Sequence, residues 1–146
     1  MEKRIWLTES RRVLGMVAVL MGSDAENEDT NEAGSSLFHI SGESADPESL
    51  KLIAELDDHN FKHLFRPVIT VAKMRVASNE NTPPKILDFI ARQVIEKRVY
   101  KNDEQLMLET LDSLLANPST PKETKQTVSE FLRNRNDQQN PSNLLR

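Results

Sequence analysis

At three places in this chain an Asp or Thr able to cap a helix is followed directly by proline: Asp46-Pro47, Thr82-Pro83 and Thr120-Pro121. Proline fixes φ near the helical value and lacks an N–H, so it suits the first turn of a helix and disrupts the interior. An Asp or Thr side chain ahead of it can accept from the orphan amides of that turn. Apolar residues at helical spacing follow each start. Leu50, Ile53, Ala54 and Leu56 follow the first, and Ile86, Leu87, Phe89, Ile90, Val94 and Val99 follow the second, in a helix predicted to reach about Tyr100. Thr120-Pro121-Lys122-Glu123 reads as a capping box opening a helix that ends near Asn134.

Two further helical segments lie between these starts. Phe61, Leu64, Phe65, Val68, Ile69, Ala72 and Val76 share a helical period over Asn60–Ala77. Pro67 removes one internal bond there, which predicts either a kinked helix or two short ones meeting at Arg66. Another helix starts near Asn102, with Gln105 completing a capping box and Met107, Leu108, Leu111, Leu114 and Leu115 as its apolar face. With 4 Gly and no hairpin dipeptides, the expectation is an all-α fold. Its architecture is either a short α-solenoid-like helical repeat or a compact helical bundle.

Charge divides the chain. No Lys or Arg lies between Val13 and Leu50, while eight acids do: Asp24, Glu26, Glu28, Asp29, Glu32, Glu43, Asp46 and Glu48. The net charge is -4, so the remainder is mildly basic. Residues 1–21 are expected to hold an amphipathic helix over 5–21, with Leu7, Leu14, Val17, Ala18 and Met21 near one face. Residues 22–44 lack apolar periodicity and read as a flexible acidic linker. Residues 45–135 form the helical repeat domain, and 136–146 have the composition of a disordered tail. The apolar run Val13–Met21 is far short of the roughly 20 residues a bilayer span needs. Ser10-Arg11-Arg12-Val13-Leu14 partly matches a twin-arginine export signal, with small residues at Ser23-Asp24-Ala25. Glu2 and Glu9 stand against that, and a packed or self-associating helix in a cytoplasmic protein is the preferred reading.

The helix starts recur. Asn79-Glu80-Asn81-Thr82-Pro83 and Asn117-Pro118-Ser119-Thr120-Pro121 align at an offset of 38 residues, and Pro47 precedes Pro83 by 36. Periods in this range mark helix-pair repeats, in which each unit buries its face on its neighbours. Ser78 to Ala91 resembles the leucine-rich repeat variant pattern, Ala-x-Asn-Pro-x-Thr-Pro followed by paired aliphatics, and Ala116 to Pro121 is similar to it. The resemblance covers about a third of the chain and implies stacked helices in a superhelix. The spacing is longer than the family's, Thr124 and Lys125 replace expected aliphatics, and there is no Cys. The iron–sulfur cluster of some members is therefore not implied, and no cofactor is expected.

Catalytic chemistry has little support. Lacking Cys, the chain has no thiolate nucleophile, thiolate zinc site or disulfide. It carries neither a nucleophile elbow nor a phosphate-cradling glycine loop. His59 and His63 are spaced as i and i+4 beside Asp57 and Asp58, which on one helix would allow both imidazoles to reach one metal ion. Asn60 as a helix cap would spoil that geometry, so they are weak candidates and no metal is expected. Lys73, Arg75, Arg92, Lys97, Arg98 and Lys101 could line a basic face against phosphates. The competing reading is that they complement helix carboxyl ends.

The function expected from the sequence is non-catalytic, a protein-interaction or adaptor module whose partner is another protein. Trp6, Leu7, Leu14 and Val17 on the first helix are the expected anchors, in a helix-in-groove mode. Self-association is a secondary expectation and nucleic-acid binding the alternative; membrane association is not expected.

Overall fold

The computed structural model describes residues 8–97, 99–100 and 103–139. Among these residues the fold is all-α, with seven α-helices and two short 3₁₀ turns. The helices are α1 Glu9–Met21, α2 Glu28–Glu43, α3 Pro47–Ala54, α4 Arg66–Ser78, α5 Pro84–Ile95, α6 Glu104–Ala116 and α7 Lys122–Gln139. No helix among the described residues is long and apolar enough to cross a membrane. The chain divides into two compact units, Met1–Thr82 and Pro83–Arg146.

The first unit is two helical hairpins laid side by side. α1 pairs with α2 and α3 with α4, while α1 also packs on α3 and α2 on α4. Val13, Val17 and Leu20 of α1, Leu37 of α2, Leu50 and Ile53 of α3, and Ile69, Ala72 and Val76 of α4 are buried. Pro67 lies in the first turn of α4, so the helix begins at Arg66 and the kink is avoided by two 3₁₀ turns, Asp58–Asn60 and His63–Phe65. Lys73 crosses back to this segment, donating to the Leu56 carbonyl at 2.7 Å and pairing with Asp58 at 3.4 Å.

Most of the segment expected to be an acidic linker, residues 22–44, is helix α2, Glu28–Glu43. Asn27 caps it in a reciprocal box with Thr30: the Thr30 amide donates to Asn27 Oδ1 at 2.9 Å, and the Asn27 amide to Thr30 Oγ1 at 2.8 Å. Its buried face is Thr30, Ala33, Gly34, Leu37 and Ser41. That is a helical period written almost wholly in small and polar residues, which a search for large apolar side chains passes over. Smallness has a function here: a Cβ at Gly34 would stand 3.3 Å from Val68 Cγ2, so α4 approaches α2 closely.

In the second unit α5, α6 and α7 pack on one another. Leu87, Ile90, Ala91 and Val94 of α5, Met107, Leu111 and Leu114 of α6, and Val128 of α7 are buried. α5 stops at Ile95, short of the expected Tyr100, and Val99 is exposed where a core role was expected. The cap of α6 is Asp103, which accepts from the Leu106 amide at 3.1 Å, not a box closed by Gln105. α7 continues past Asn134 to Gln139, so the expected tail is helical over its first residues. Arg135 of α7 pairs with Glu104 of α6, which anchors that extension. Thr124, which departs from the aliphatic pattern, is buried and donates to Asp88 Oδ1 at 2.8 Å.

The two Asn-x-x-Thr-Pro corners have matching backbones. Asn79 ends α4 at φ -77, ψ 118 and Asn117 ends α6 at φ -75, ψ 119. In each, the Asn Oδ1 accepts from the amide two residues on, at 2.8 Å from Asn81 and 2.9 Å from Ser119. The Thr amide closes back on the Asn carbonyl, at 3.0 Å for Thr82 and 3.1 Å for Thr120. Neither threonine hydroxyl caps the helix that follows. Thr82 Oγ1 donates backward to the Val76 carbonyl at 2.7 Å, and Thr120 Oγ1 is buried with no hydrogen-bond partner. Buried Asn79 also donates from Nδ2 to the carbonyls of Ser41 at 3.1 Å and Ser44 at 3.0 Å, tying the α4 end to the end of α2.

Candidate protein-interaction surface

Thr8 opens α1, its hydroxyl accepting from the Arg11 amide at 3.3 Å. Glu9 takes a hydrogen bond from the Ser44 hydroxyl, which fixes the helix start to the α2–α3 corner. Val13, Val17 and Leu20, at i, i+4 and i+7, then turn one face of α1 inward. The opposite face is left to solvent. Leu14 is 53% exposed, Met21 44% and Val19 38%, and a Cβ at Gly15 would meet nothing within 4 Å. A shallow groove follows the α1–α2 seam, lined by Met16, Val19 and Ala33 with Asp29, Glu32 and Ser36. Leu14 and Met21 share one flank of this outer face, and Val19 stands on the other, beside the groove. Exposed apolar side chains rimmed by charge are the usual character of a surface that meets another protein.

Of the four anchors expected on this helix, Leu14 lies on the exposed face. Val17 is 8% exposed and belongs to the core, because the buried stripe runs through 13, 17 and 20 and not through 14, 17, 18 and 21. Trp6 and Leu7 lie outside the described residues. Val19 and Gly15 belong to the exposed face and were not singled out from the sequence. Their signal is phase: once Val13, Val17 and Leu20 are assigned inward, the outer positions follow from 3.6 residues per turn.

Three of the basic candidates, Lys73, Arg75 and Arg92, are engaged within the fold. Lys73 is held by the Leu56 carbonyl and Asp58. The Arg75 guanidinium lies 3.8 Å from the centroid of the Phe38 ring, and its Nε donates to the Phe38 carbonyl at 2.8 Å. Arg92 pairs with Asp88 at 2.8 Å and Glu96 at 3.9 Å, and the Asp88 hydrogen bond raises its already high pKa further. Lys97 is exposed, and Arg98 and Lys101 lie outside the described residues.

His59 and His63 do not share a helix. They lie on separate 3₁₀ turns, so the i, i+4 geometry is lost. His59 Nδ1 faces Asp57 at 3.2 Å, and His63 Nδ1 meets the Arg66 guanidinium at 3.1 Å, where a second cation would be repelled. The Asp57 carboxyl is held below its usual range, chiefly by the His59 backbone N–H. Among the described residues no cluster of three or more His, Asp or Glu has the placement to hold a metal ion. No family model, curated protein or solved structure matches this chain.

Proposed function

We propose that this chain is a non-catalytic protein-interaction module built from stacked helical hairpins, with the outer face of α1 as its recognition surface. The observation that carries the reading is the contrast across α1: Val13 and Leu20 are wholly buried, while Leu14, Val19 and Met21 stand exposed on the outer side. Exposed apolar side chains on a helix already anchored by its other face make a rigid surface, which lowers the ordering cost of binding. The matching Asn79 and Asn117 corners support a helical-repeat architecture of the leucine-rich repeat variant or HEAT-like kind, in which such surfaces serve as docking sites. Nucleic-acid binding is the weaker reading, because Lys73, Arg75 and Arg92 are already engaged by Asp58, Phe38 and Asp88.

Capture from native lysate tests the proposal, with the wild-type chain compared with a Leu14→Asp/Met21→Asp variant. Both positions are exposed, so the fold should survive the change. The expected result is a specific protein retained by the wild type and lost from the variant. Recovery of nucleic acid by both chains, with no specific protein, would contradict the proposal.

A further inference from the structure

We infer that the outer face of α1 pairs with the same face of a second copy of this chain, in an antiparallel arrangement centred near Ala18. The inference rests on the proposed role of that face and names its partner. At 3.6 residues per turn, Arg11, Gly15, Ala18 and Gly22 fall in a line opposite the buried Val13, Val17 and Leu20. Leu14 and Met21 flank that line and are exposed. In an antiparallel pair centred on Ala18, Leu14 of one copy faces Gly22 of the other, and Met21 faces Gly15. Each large side chain then meets a glycine, and nothing lies within 4 Å of where a Gly15 Cβ would be.

Charge selects this arrangement. The amino end of the face carries exposed Arg11 and Arg12, and among the described residues no ion pair engages either. Beyond its carboxyl end the chain is uniformly acidic, with Asp24, Glu26, Glu28 and Asp29 all exposed. Asp24 is paired with Lys62, whereas no ion pair engages Glu26, Glu28 or Asp29 among the described residues. An antiparallel two-fold pair brings the arginines of each copy to the acids of the other, twice over. A parallel pair sets arginine against arginine. Self-complementarity under a two-fold is what an isologous interface requires. One helix face is a small interface, so the dimer is expected to be weak and to form at high micromolar concentration.

Sedimentation equilibrium of the full chain from a few to several hundred micromolar tests the inference. The wild type should shift from monomer to dimer. Arg11→Glu/Arg12→Glu and Glu26→Arg/Asp29→Arg should each weaken self-association by about tenfold or more, and mixing the two variants should restore it. Because the chain has no Cys, Ala18→Cys supplies a clean probe: mild oxidation should link two copies through that position, while Lys51→Cys on exposed α3 should not link. A wild type that stays monomeric throughout, or a dimer indifferent to both charge reversals, would overturn the inference. If the monomer nonetheless captures a protein that Leu14→Asp/Met21→Asp loses, the face serves a different partner and only the self-pairing fails. A monomer that captures no protein removes both.

Discussion

Thr82 and Thr120 occupy the same position in two matching corners, yet only Thr82 has its hydroxyl satisfied: it donates to the Val76 carbonyl, while Thr120 Oγ1 is buried without a partner. Replacing each by the isosteric Val separates the two cases. Thr82→Val removes a buried hydrogen bond and is expected to destabilise by about 1–2 kcal/mol. Thr120→Val removes a desolvated hydroxyl that gains nothing from the fold, and is expected to be neutral or stabilising by up to about 1 kcal/mol. Urea denaturation followed by circular dichroism measures both. Equal losses at the two positions would contradict the assignment.

Asn79 is expected to be the more costly corner residue. Its side chain satisfies the carbonyls of Ser41 and Ser44, and the Ser41 side is wholly buried. Asn79→Ala leaves both carbonyls unpaired and opens a small void, for an expected loss of about 3 kcal/mol. Hydrogen exchange should show the α2–α3 corner opening first. A loss below about 1 kcal/mol would mean water replaces the amide there.

Gly42 and Arg75 are coupled. A Cβ at Gly42 would lie 2.1 Å from Arg75 Nη2, so the glycine leaves room for the guanidinium above Phe38. Gly42→Ala should raise helix propensity by about 1 kcal/mol in an Arg75→Ala background. In the wild type that gain is offset by displacement of the guanidinium, and the double-mutant cycle should give a coupling of about 0.5 kcal/mol or more. Strict additivity would show that the Arg75 contact contributes nothing.

Asp24 is exposed, and the hydrogen bond and charge of Lys62 hold its carboxyl below the ordinary aspartate value. A depressed pKa in the folded state means that the pairing is fully expressed above the unfolded value. It is lost as the pH falls through the folded value. The side chains are largely solvated, so the readout is the titration itself and not the melting temperature. Lys62→Ala should move the Asp24 midpoint, followed by NMR, upward toward its ordinary position. An unmoved midpoint would show that the pair is not formed in solution.

Helices led by proline were legible from local chemistry to within one residue: Pro47 lies in the first turn of α3, Pro83 and Pro121 stand immediately before α5 and α7, and Pro67 fixes the start of α4. Helix α2 was not, because its buried stripe of Thr30, Ala33, Gly34 and Ser41 carries little hydrophobic signal and depends on close approach by α4. The cap roles of Thr82 and Thr120 were misassigned for a related reason. A Thr before Pro suits a helix cap, but here the hydroxyls point back toward the preceding helix or into the interior. The candidate surface was half legible. Leu14 was found by its apolar character, and Val17 was misplaced because the phase of α1 is set by its packing on α2 and α3.

Amide hydrogen exchange on the wild-type chain, alone and with its captured or self-associated partner, locates the recognition surface most directly. Added protection is expected in α1, from Glu9 to Met21, and at the start of α2. Protection confined to the 3₁₀ segment and α4, or to residues 84–97, with α1 unchanged, would contradict the assignment of this face.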